Sequence, residues 1–277
     1  MIPQAEIRRV AAQLFVDPMV IDLDYSLGWF LLGLTKTEDL SAFLRFKGGT
    51  CLRKCYFPDY RFSEDLDFTA VKHQSSETIE LWINRAAIWI ADHDGPDFRV
   101  EPIRFEIVDD EYGSESYQAR IYYRGPLRWG GSPRTVRMDV TRHERLLLPP
   151  AHQPLHHPYS DENAFKGSEL TCYSLEEVMA EKIRAVGGQR RFAVSRDLYD
   201  IYNLSKTGVD FSKVKSILPE KFTARGLSFS TVDITAFKSR RPEFKVDWDR
   251  HLSYLVREGK VSFEETWNKV IEVLEEI

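Results

Sequence analysis

Apolar residues recur at helical spacing over residues 3–15, where Ile7, Val10, Ala11, Leu14 and Phe15 share one face. Asp17-Pro18 then joins an N-cap side chain to a proline suited to a first helical turn, and predicts a second helix to about Leu34. That helix holds the most apolar window of the chain, Leu27 to Leu34 (LGWFLLGL), far too short to span a bilayer and suited to burial. Phe43 to Phe46 reads as a short strand ending at Gly48-Gly49, Thr50 to about Tyr56 as a helix start, and Leu66 to Thr69 as the next strand. Residues 77–92 form an amphipathic helix, while 99–108, 117–124 and 134–141 alternate with the period of strands. The proline-rich stretch 149–160 reads as a surface connection. Beyond it, Ser174-Leu-Glu-Glu177 is a capping-box pattern opening a helix to about Val186. A second helix follows at about 194–206, and helical patterning returns over 247–277. The expected architecture is α/β (α+β): a sheet core flanked by helices over 1–150, then a mainly helical domain over 151–277.

Within that pattern, the segment KGGTCLRKCYFPDYRFSEDLDF (47–68) carries the chemistry. Asp65 and Asp67, two apart on a strand, project to one face while Leu66 and Phe68 face the other. Two carboxylates held that close repel each other unless a cation lies between them, and hard oxygen ligands suit Mg²⁺. Upstream, Gly48-Gly49-Thr50 is a turn at which backbone N–H groups can approach a phosphate, with Ser63, Thr50 and Arg61 as further donors. An isolated Asp-x-Asp is common in hairpins with solvated acids; the glycine turn before it is what favours nucleoside triphosphate chemistry. A two-metal site needs a further acid, and Asp139 in VRMDVT lies on another expected strand. The alternative for Asp139 is a surface acid paired with Arg137 or Arg142, and the sequence leaves both open. In the helical half, Lys182 is a mobile cation on the first helix, and Asp197 and Asp200 are neighbours at i and i+3 on the second. From composition alone, that segment reads as an ion-paired helical hairpin.

Composition changes little. The chain has 277 residues, a net charge of −5 and 43% hydrophobic residues, those of an ordinary globular protein with no overall basic signature. Arg120, Arg124 and Arg128, then Arg134, Arg137, Arg142 and Arg145, and the pair Arg190-Arg191 are local basic runs, each more often a solvated surface than a nucleic-acid path. Cys51 and Cys55 have a CxxxC spacing, but no second pair with finger-like spacing follows, and His152, His156 and His157 lie in the proline-rich stretch. Reduced thiols in a cytosolic protein are the expectation. There is no signal peptide pattern, and a cytoplasmic location without membrane contact is expected.

KGGTCL, RFSEDLDF, SLEEVMAEKIRA and RDLYDIYNL, in this order, resemble the nucleotidyltransferase toxins of the AbiEii/MenT type, and Asp24-Tyr25 takes the place of a similar acidic-Tyr pair. The resemblance implies a polymerase-β-like nucleotidyltransferase core whose helical C-terminal domain completes the active site. It implies that Asp65 and Asp67 bind Mg²⁺, that Gly48, Gly49 and Ser63 hold the triphosphate, that Lys182 serves the nucleotide, and that Asp197 is a required acid. Asp139 lies where the wider superfamily's third metal-binding acid falls. The implied activity is transfer of a nucleoside monophosphate from an NTP, such as CTP or another pyrimidine nucleotide, to RNA. The tRNA 3′ end is the implied acceptor, with arrest of translation, a cognate antitoxin as partner and a place in phage defence. Two other classes stand beside it: an enzyme of the same fold acting on a small molecule or protein, and a non-catalytic antitoxin- or complex-binding protein.

Overall fold

The N-terminal helices form as the pattern predicts. Helix α1 spans Gln4–Leu14, and α2 spans Pro18–Thr37, with the Asp17 side chain accepting a hydrogen bond from the Met19 N–H at 2.7 Å. Every residue of α2 from Ile21 to Leu34 is buried. A helix apolar on all sides needs cover on all sides, and α1 and α4 (Ser76–Asp92) supply part of it.

These helices belong with a sheet of seven strands: β1 (Leu44–Lys47), β2 (Asp65–Ala70), β3 (Arg104–Asp109), β4 (Glu115–Tyr123), β5 (Arg134–Thr141), β6 (Ala151–Pro154) and β7 (Glu169–Cys172). Their order is β3-β4-β5-β2-β1-β7-β6, with β2 parallel to β5, β1 parallel to β7 and the other neighbours antiparallel. Strand β3 starts at Arg104 rather than at the expected 99, since Pro102 cannot donate to a ladder. Between β1 and β2, α3 (Gly48–Cys51) passes without a break into a π turn, Leu52–Tyr56.

The computed structural model describes residues 1–72, 74–109, 115–128, 130–227, 229, 233–256 and 261–277. They divide into two compact units, Met1–Glu144 with Pro150–Cys172, and Arg145–Pro149 with Tyr173–Ile277. The expected division at 150/151 is thereby corrected: the first unit runs on to Cys172. The reason is the stretch read as a surface connection, where residues 151–154 form β6, which pairs with β7 at the sheet edge. Both strands have four residues and Pro154 ends the first, so neither shows an alternating pattern.

The second unit is helical as expected: α5 (Leu175–Arg184) followed by a π turn at Ala185–Gln189, α6 (Ser195–Leu204), α7 (Phe211–Thr223), α8 (Ile234–Ser239), α9 (Arg241–Asp247) and α10 (Phe263–Glu276). The Ser174 hydroxyl caps α5 by accepting from the Glu177 N–H at 3.2 Å. The second half of the capping box does not close. The buried Glu177 carboxylate instead meets Lys221 at 2.5 Å and accepts from the Leu148 N–H at 2.8 Å, which fixes segment 145–149 to this unit. Phe237, Phe244, Trp248, Phe263 and Trp267 build its aromatic core. Among the described residues, no helix is long and apolar enough to cross a membrane.

Candidate active site

Strand alternation puts Asp65 and Asp67 on one face of β2 and buries Leu66 and Phe68 on the other. Parallel pairing of β2 with β5 sets Asp65 opposite Arg137 and Asp67 opposite Asp139. Asp139 is therefore both things the sequence left open: a third acid beside Asp67, and a partner of Arg137. The Arg137 guanidinium reaches Asp65 at 2.9 Å and Asp139 at 3.1 Å, and Gln118 donates to Asp139 at 2.9 Å. Partial burial would lower the Arg137 pKa, but the charges of Asp65, Asp139 and Asp67 outweigh it and raise it. One cation thus feels three carboxylates on a single face of the sheet. The side chains stay open to ligand, at 23% exposure for Asp65, 28% for Asp139 and 47% for Arg137.

The glycine turn lies directly against these acids. Gly48 has φ of 79°, and a Cβ there would come within 2.2 Å of Asp67 Oδ2; at Gly49 it would come within 2.5 Å of the Arg61 guanidinium. Both glycines let the backbone approach charged side chains that any other residue would displace. Thr50, in this turn, and Ser63, two residues before β2, are both buried. The Thr50 hydroxyl donates to the Asp65 carbonyl at 2.5 Å, which ties the first helical turn to β2 rather than aiming that proton at a phosphate.

Behind the turn stands a network that sequence reasoning only touched. Asp24, in the middle of α2, is fully buried and meets Arg53 at 2.6 Å and Lys54 at 2.7 Å, both on the π turn that continues α3. Tyr159 donates to the same carboxylate at 2.7 Å. Burial alone would raise the Asp24 pKa; the charges of Arg53 and Lys54 outweigh it and hold the carboxyl well below its usual range. Tyr25 donates to Asp161 at 2.7 Å, and Asp161 also meets His157 at 3.0 Å. The signals available in the sequence were an acid inside an apolar helix and adjacent cations two residues after Cys51.

In the second unit, Lys182 on α5 lies between two acids of α6, 2.6 Å from Asp197 and 2.9 Å from Asp200. Arg190 meets Asp197 at 3.2 Å. Burial would raise the Asp197 pKa, but Arg190 and Lys182 lower it. A carboxylate held in that state is a poor proton acceptor and a good orienting group for Lys182. Several arginines of the basic runs are also committed: Arg142 to Glu115, Arg145 to Glu220 at 2.5 Å, and Arg137 to the acids of β2 and β5.

A mixed sheet with carboxylates from two parallel strands beside a glycine turn is the arrangement of a nucleotidyltransferase. Solved structures share the fold. The nucleotidyltransferase toxin MenT4 of Mycobacterium tuberculosis H37Rv matches with a TM-score of 0.59 at 20% identity, over 99% of this chain and 98% of that one. JHP933 of Helicobacter pylori matches with a TM-score of 0.57 at 18% identity, over 94% of each chain. The family model described as "Nucleotidyl transferase AbiEii toxin, Type IV TA system" matches residues 29–269. The chain belongs to that family. A comparison with curated proteins yields no match.

Proposed function

We propose that this chain transfers a nucleoside monophosphate from an NTP to RNA, with the 3′ end of tRNA as acceptor, in a reaction that needs Mg²⁺ and that a cognate antitoxin restrains. The observation that carries the reading is the convergence of Asp65, Asp67 and Asp139 on one face of β2 and β5, with Gly48 against Asp67. The donor set fits the ion: three hard carboxylates already held around one cation, the Arg137 guanidinium. Asp65, Asp67 and Asp139 would hold Mg²⁺, which when bound neutralises triphosphate oxygens and the charge that develops on transfer.

The rest is the work of the chain. Gly48 and Gly49 leave room for phosphate oxygens to meet backbone N–H groups at the start of a helical turn. Arg61 borders that turn and, with Ser63, serves as a further donor. Arg137 exchanges its acids for phosphate oxygens when the nucleotide arrives. In the second unit, Asp197 and Asp200 orient Lys182, the lysine that the family resemblance assigns to the nucleotide. RNA is favoured over a small acceptor by Phe192, 72% exposed beside Arg191, which offers a nucleobase a stacking surface on the α5–α6 connection.

The test is incubation of the purified chain with each labelled NTP, Mg²⁺ and total RNA, followed by sequencing of RNA 3′ ends. Label should enter tRNA, and Asp65→Ala should abolish it. Label in a protein or small molecule instead would move the reading to another acceptor class, and robust RNA labelling by Asp65→Ala would overturn the assigned roles.

A further inference from the structure

All three cysteines of the chain meet at one point. Cys51 lies on α3, Cys55 on the π turn that continues it, and Cys172 at the end of β7; their sulfur atoms all lie within 4.8 Å of one another, and none bonds to another as a disulfide. Each thiol is buried, with at most 1% of the residue exposed. Packing alone asks only for small apolar groups here, and gives no reason for three thiols from segments so far apart in sequence to converge.

The spacing disfavours a disulfide between the two helical cysteines. Residues i and i+4 of a helix have Cβ atoms about 5–6 Å apart, whereas a disulfide needs about 3.5–4.5 Å. Cys51 and Cys55 therefore cannot be bridged without unwinding the turn. Three thiolates around one ion at the usual zinc–sulfur length are about 3.8–4.0 Å apart, which this cluster reaches by small side-chain rotations. Three buried sulfurs select a soft, thiolate-seeking ion over Mg²⁺.

We propose that Cys51, Cys55 and Cys172 form a binding site for a single soft metal ion, Zn²⁺ or Cu⁺, distinct from the carboxylate face that would take Mg²⁺. Binding displaces three thiol protons and involves no electron transfer. The consequence is mechanical. Cys51 lies in the same short helix as Gly48 and Gly49, and Cys172 stands opposite Phe46 on β1, the strand that leads into that turn. An ion held by all three joins the structures on both sides of the glycine turn and stiffens it.

The test is titration of the reduced, metal-free chain with Zn²⁺, and in a separate anaerobic arm with Cu⁺, each against a chromophoric chelator. One equivalent should bind, raise the melting temperature and protect all three thiols from alkylation. Cys172→Ser should lose the binding while Asp67→Ala keeps it. Should Cys172→Ser fold poorly, Cd²⁺ bound to the wild-type chain should show sulfur-to-cadmium charge-transfer absorption. Absence of stoichiometric binding to the reduced chain, binding that survives replacement of all three cysteines by Ala, or a disulfide among them in the isolated protein would each overturn the proposal.

Discussion

Two aspartate sites in the first unit use the same chemistry to opposite ends. At Asp65, Asp67 and Asp139, the carboxylates are partly open and share the half-exposed Arg137. At Asp24, one carboxylate is sealed among Arg53, Lys54 and Tyr159. The open cluster keeps its carboxylates within reach of solvent and can exchange its arginine for a metal ion. The sealed site holds one carboxylate between two fixed cations, and exchange there would strand both of them. Carboxylates with access to solvent mark a place for a ligand; a carboxylate sealed among fixed partners marks a fastening, here of α2 to the π turn behind the glycines. In the second unit, α5 repeats the contrast along its length, with Glu177 sealed against Lys221 and Lys182 14% exposed between Asp197 and Asp200.

Substitutions on either side test this contrast. Asp67→Ala should cut transfer by about 10³-fold or more while leaving the melting temperature within a few degrees, because the acid it removes lies on a face open to solvent. A large stability loss in that variant would make the open cluster a fastening too. Asp24→Ala should do the reverse: a loss of about 3–5 kcal/mol in urea denaturation from two uncompensated buried cations, with the folded fraction still active. An unchanged unfolding midpoint would dissolve the comparison.

The sealed network also has a pH signature. Burial lowers the His157 pKa from 6.5 to about 4, with the Lys54 charge helping and Asp161 opposing. The unfolded chain then takes up a proton before the folded one does, so stability is full above about pH 6.5 and falls as pH drops toward 4. The loss across that window should be on the order of 3 kcal/mol, and His157→Phe should flatten it in denaturation series at several pH values. Arg137→Gln should have the smallest effect on stability, about 1 kcal/mol or less, because a half-exposed pair contributes little. Its informative readout is Mg²⁺: with the competing cation gone, stabilisation by Mg²⁺ should appear at lower concentration than in the wild type.

Much of the open site was legible because it rests on local rules. Period two set Asp65 and Asp67 on one face, and the Gly48-Gly49 pair announced a turn that only glycine tolerates. The missed parts depended on partners distant in sequence. Strands β6 and β7 have four residues each, too few to show a period, and join the sheet only because β1 offers an edge. Asp24 looked like a motif residue, yet its partners Arg53, Lys54 and Tyr159 come from segments that no spacing connects to it.

By itself, the sequence determined α1, α2, α4, α5 and α6, the alternation of the longer strands, the glycine turn and the paired acids, since each follows from sterics and periodicity within a few residues. The tertiary structure decided what register and packing decide. It placed Asp139 beside Asp67 through the pairing of β2 with β5, gave Lys182 a second acid in Asp200, closed Asp24 among its cations, and drew Cys172 to Cys51 and Cys55. Those outcomes turn on which strands and helices become neighbours, a choice made by burying apolar faces over the whole chain rather than by any short stretch of it.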